Sequence, residues 1–116
     1  MLPMAAVMHT AQMILTHVDD VRKNNCLLAN YNSKALDWIC RQKISSTHLT
    51  YTLQTQLPIF PPERYDEVEE FTDGKPLVEW ISERVLKLTY TSHDLKSYAK
   101  DMGYDGPPFV WDEVER

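Results

Sequence analysis

Glycine and cysteine are scarce in this chain, with three and two residues respectively among 116. Three glycines leave no Gly-rich loop of the kind that cradles a nucleotide. With 43% hydrophobic residues, so little glycine argues for a packed globule over a disordered chain. Cys26 and Cys40 fall on one stretch of helical periodicity. At roughly 1.5 Å of rise per residue they stand about 21 Å apart, beyond the reach of a disulfide. Free thiols fit a reducing cytoplasm best. His9, His17, His48 and His93 lack metal-ligand spacing and neither cysteine has a histidine beside it, so no metal site is expected. There is also no uninterrupted apolar run of membrane-spanning length. Residues 1–16 are apolar but broken by His9, Thr10 and Gln12 and lack a basic start, so they are expected to be structure and neither a signal peptide nor a span.

Negative charge is lacking in one half only. Residues 1–60 hold five Lys/Arg against three Asp and no Glu, a balance of +2, whereas residues 61–116 hold seven against fourteen, a balance of −7, giving the net −5. A chain acidic overall does not attract nucleic acid through its net field. Any such contact has to come from a local patch, and Arg22, Lys23, Lys34, Arg41 and Lys43 gather in the first half.

The most informative stretch is 25–62. At 100° per residue, Leu28, Ala35, Leu36 and Ile39 share a face flanked by Ala29, Tyr31, Trp38 and Cys40, opposite a polar strip of Asn30, Lys34, Asp37 and Arg41. One helix over 25–43 is expected, capped by Asn24 or Asn25 after an Asp19-Asp20 turn or helix start, with Trp38 and Tyr31 in the core. Leu49, Tyr51, Leu53 and Leu57 then alternate with polar residues, which predicts a strand, most firmly over 47–51. Residues 4–7 and 12–18 read as a β-hairpin.

Beyond Pro61 the chain is acidic and poorly periodic to Gly74, as in a surface linker. Leu77, Val78, Ile81, Val85 and Leu88 line one arc of a helix over 76–90, with Pro76 at its first position. Residues 91–94 resemble a capping box for a further helix ending at Met102, with Gly103 beyond it, and 103–108 reads as a turn. Residues 111–116 look like the start of another helix. The expected fold class is α+β: a short β-hairpin and strands packed on one long helix, followed by a helical acidic C-terminal segment. An uncovered 77/78/81/85/88 stripe would favour self-association.

Several ordered motifs carry a family resemblance. Asn32-Ser33-Lys34, Arg41-Gln42-Lys43-Ile44, Thr47-His48-Leu49-Thr50-Tyr51, Gln56-Leu57-Pro58-Ile59 and Pro61-Pro62 together resemble the target-recognition region of type IIG-like adenine-specific DNA methyltransferases of restriction–modification or phage defence. More loosely, they are similar to the specificity subunits of type I restriction systems. The runs 84–91 and 103–109, then Trp111-Asp112-Glu113, resemble the segment that follows in the same methylases. Ser46 stands where that family usually has glycine. The resemblance also suggests a helical turn near 53–56, where alternation alone argues for strand.

The resemblance implies a C-terminal piece of a methyltransferase, with 1–62 a partial target-recognition domain and 63–116 an acidic linker and helical segment truncated at its end. It implies double-stranded DNA as the partner, together with the rest of the parent protein, in which S-adenosylmethionine would be the cofactor. The DNA-binding residues would be Lys34, Arg41, Lys43, Ser45, Ser46, Thr47, His48 and Thr50, with Lys34, Arg41 and Lys43 meeting phosphates and Thr47, His48 and Thr50 approaching bases. Catalysis is not expected here, because Pro107-Pro108-Phe109 follows Gly106 and no amide or carboxylate side chain. Asp66, Glu70 and Lys75 only weakly suggest a nuclease. Two blander alternatives stand beside these: Asp37 and Arg41 as an ordinary surface ion pair, and the whole chain as a non-DNA protein–protein interaction module or stand-alone small α+β domain.

Overall fold

The computed structural model describes residues 14–44 and 49–110. Helix α1, Val21–Tyr31, begins where Asp20 accepts a hydrogen bond from the Arg22 amide at 2.9 Å. Helix α2, Lys34–Lys43, begins where the Ser33 hydroxyl accepts from the Leu36 amide at 3.2 Å. The expected single helix over 25–43 is therefore two. Asn32 and Ser33 divide it: the Asn32 side-chain amide donates to the Leu28 carbonyl at 2.8 Å, closing α1 as Ser33 opens α2.

The expected strand is replaced by a short helix, α3, Tyr51–Gln54, whose first turn Thr50 caps by accepting from the Leu53 amide at 3.4 Å. The alternation is present, but it buries only Leu57, at 8% exposure, and leaves Tyr51 76% exposed. A strand also needs a neighbour for its backbone groups. Among the described residues none is offered, the one pairing being an isolated antiparallel bridge between Val68 and Pro76. Of the expected hairpin, residues 14–18 are not strand, and 4–7 and 12–13 lie outside the described residues. The α+β expectation is thus corrected to a helical fold.

The acidic segment after Pro61 is no solvated linker. Two 3₁₀ helices, Pro62–Asp66 and Glu70–Thr72, fold it against the body, with Tyr65 and Thr72 buried. The Thr72 hydroxyl bonds the Glu69 carbonyl at 2.8 Å and the Lys75 carbonyl at 2.6 Å. Asp73 and Gly74 both take positive φ, 54° and 79°, and turn the chain toward helix α4, Leu77–Thr89. Pro76 lies just before α4 as its N-cap.

Helix α4 packs chiefly on α1, so residues on either side of position 62 share one core. Leu77, Val78 and Val85 of the expected apolar stripe are buried and Ile81 is half-buried, while Leu88 stays 68% exposed and Leu86 takes its place inside. Apart from Leu88, the stripe is covered from within the chain.

One buried cluster joins Cys26, Tyr65 and Val78, with Ile81 against it. The other joins Leu86, Tyr90, Tyr98 and Ala99, with Val21, Met102 and Phe109 among the residues packed on it. Tyr98 and Ala99 come from helix α5, Lys96–Asp101, entered through a 3₁₀ turn at His93–Leu95, where Ser92 makes no side-chain capping bond. Gly103, at φ +79°, ends α5 in the left-handed conformation that favours glycine. The turn after it returns Phe109 to the core, where its amide donates to the Tyr90 carbonyl at 2.9 Å and its ring stacks on Tyr104 with centroids 4.8 Å apart. Residues 111–116 lie outside the described residues. Among those described, no helix is long and apolar enough to cross a membrane.

Candidate nucleic-acid interface

Helix α2 buries a single side chain, Leu36. At 100° per residue, Lys34, Trp38 and Arg41 fall within about 60° of one another and roughly opposite Leu36, so one buried leucine turns all three toward solvent. Lys34 and Arg41 are both exposed, as the shared strip requires. Lys43 is exposed too, but lies about half a turn from Lys34 around the axis. Trp38, expected in the core, is 65% exposed. The helical pattern placed it beside apolar residues, but α1 and α4 pack on each other and leave α2 at the margin.

Arg41 is engaged with Asp37: its Nε donates to the carboxylate at 2.8 Å, which raises the pKa of the guanidinium. This is the surface ion pair named above as the blander alternative. Both side chains are more than half exposed, so water screens the pair and exchanging Asp37 for another anion costs little. Thr50 is exposed at the start of α3. Ser45, Ser46, Thr47 and His48 lie outside the described residues, so of the expected base-reading group only Thr50 has a described position.

The other suggested clusters do not converge on chemistry. Asp66 pairs with Lys23 at 2.7 Å, fastening the first 3₁₀ helix to α1, and Lys75 pairs with Glu79 at 3.2 Å and Glu83 at 2.9 Å. Among the described residues no group of three or more His, Cys, Asp or Glu side chains is arranged to hold a metal ion. Cys26, 1% exposed, faces the Val78 carbonyl, with Sγ to O at 3.9 Å. Burial, reinforced by Asp20, pushes its thiol up to about 11, so it stays protonated and unreactive at neutral pH.

Sequence reasoning missed a cleft of about 430 Å³ between α1, α4 and the acidic segment, lined by Cys26, Phe60, Tyr65, Phe71 and Leu77 among others. Phe60 and Phe71 are 55% and 60% exposed. Arg64, also on its wall, is tied to Glu67 and Glu69. Reading 61–74 as a linker hid this cleft; the signal was Tyr65 and Phe71, two aromatics within that acidic segment, with Phe60 just before it. No family model, no curated protein and no solved structure matches the chain.

Proposed function

We propose that this chain serves DNA sequence recognition as part of an adenine-specific DNA methyltransferase of restriction–modification or phage defence, without being catalytic itself. The observation that carries this is the outward face of α2, where exposed cations precede the hydroxyl- and imidazole-bearing run from Ser45 to Thr50. Phosphates take the charge and bases take the short polar groups, so DNA recognition needs both kinds of side chain in proximity. The motif order from Asn32 to Pro62 supports the methyltransferase context. S-adenosylmethionine and the reacting groups belong in this proposal to the remainder of the enzyme.

The test is titration of a labelled duplex at several salt concentrations. Arg41→Ala or Lys43→Ala is expected to weaken binding to all duplexes alike and lower the salt slope by about one unit per lost contact. His48→Ala or Thr50→Ala is expected to cost on the order of 1–3 kcal/mol on the preferred site alone. Full salt dependence in the first pair and intact discrimination in the second would remove the proposal.

The exposed Phe60 and Phe71 at the cleft favour a second reading, a protein–protein interaction module, because aromatic residues are enriched in protein interfaces. Duplex binding absent even at low salt would bring it forward.

A further inference from the structure

We infer that Trp38, held between Lys34 and Arg41 on the outer face of α2, is a stacking platform for an unpaired DNA base. The inference rests on the DNA-recognition proposal in one respect, that the two cations flanking the ring meet the phosphates on either side of that base. Exposed apolar side chains are common, but a tryptophan with two-thirds of its surface in water is a large apolar area left uncovered. Its position is no accident of a frayed end: Trp38 lies mid-helix in α2, and Leu36 anchors the opposite face.

The contrast with Trp80 sharpens the case. Trp80 is already engaged, with the Phe71 ring at 5.5 Å and 77° and the Arg84 guanidinium 3.5 Å above its own ring. Among the described residues no aromatic ring or guanidinium is packed on Trp38 in this way. Lys34 and Arg41 stand one turn before it and just under one turn after it, so a strand running along the helix could lay a base on the indole with cations on both sides. Stacking on an aromatic face tolerates any base, since each has a π-face, and the flanking charges supply the backbone attraction. A fully paired duplex offers no such face except at an end or where a nucleotide has left the stack. The ligand class is therefore an unpaired nucleotide. Asp37 shares this side of the helix, but its hold on Arg41 is solvent-exposed and yields readily to phosphate.

The experiment uses the full chain, a short oligothymidine and a fully paired duplex at low salt, with tryptophan fluorescence and anisotropy read together. Oligothymidine is expected to quench the wild-type protein. Trp38→Phe should abolish that quench while holding affinity within about threefold, because a phenyl ring still stacks. Trp38→Ala should weaken oligothymidine binding by about ten- to one-hundred-fold, with its melting temperature and circular dichroism unchanged. A quench that survives in Trp38→Phe, or wild-type affinity for oligothymidine in Trp38→Ala, overturns the inference. If duplex binding keeps its salt dependence in that case, the DNA-recognition proposal stands without it. If neither nucleic acid binds at low salt, both fall.

Discussion

Helices α2 and α4 are both amphipathic, yet they meet opposite fates. Helix α4 buries Leu77, Val78, Ser82, Val85 and Leu86 against α1 and its neighbours, whereas α2 buries Leu36 alone and turns a tryptophan, a lysine and an arginine outward. An apolar arc shows that a helix has something to bury, but what covers it depends on which other faces are available. In this chain α1 spends its face on α4, closing the core around Cys26, Tyr65 and Val78. One region is thereby made into scaffold and the other into surface, and substitutions in the two should differ in kind.

The largest expected effect is in the scaffold. Tyr90 is 1% exposed and meets the Tyr104 and Phe109 rings edge-on at 6.0 and 6.5 Å. Tyr90→Ala should destabilise the protein by about 3–5 kcal/mol, the range of a large aromatic removed from a core, as urea unfolding would register. A loss below about 1 kcal/mol would mean that the aromatic cluster is not the core.

Next in size is a pH effect from the same region. The Cys26 thiol rises from its ordinary 9.0 to about 11 when buried. The unfolded chain ionises first, so this thiol's contribution is complete below pH 9 and is lost as pH rises toward 11. That loss amounts to roughly 2 kcal/mol. Cys26→Ala should flatten the alkaline decline, leaving the part due to Tyr65 and Tyr98, whose hydroxyls burial also pushes upward. An equally steep decline in the variant would show that Cys26 is not held as described.

The smallest expected effect is on α2. Trp38→Ala should change unfolding free energy by no more than about 0.5 kcal/mol, the usual range for a surface substitution. A core-sized loss would return Trp38 to the role its sequence pattern suggested.

That pattern was legible in part. The helix at 77–89, the left-handed Gly103 and the turn after it follow from local chemistry, through the apolar arc, the proline before the helix and the glycine after α5. The division at Asn32-Ser33 was also written locally, in two side chains able to cap, but a continuous apolar arc outweighed it. Two other features were not local. The alternation at 49–57 becomes a strand only beside a partner, and Thr50 can cap a helical turn instead. The buried state of Tyr65 depends on α1 and α4 arriving from elsewhere in the chain, which composition does not reveal. Of the candidate site, the seven-residue spacing of Lys34 and Arg41 was readable. The exposure of Trp38 between them was not.

The division between scaffold and surface is tested most directly by mapping amide chemical shifts on adding a paired duplex at low salt. Perturbations are expected at Lys34, Arg41 and Thr50, with the amides of Cys26, Tyr65 and Val78 unmoved. Shifts gathered instead around Phe60 and Phe71, with α2 silent, would contradict the assignment of α2 as the working surface.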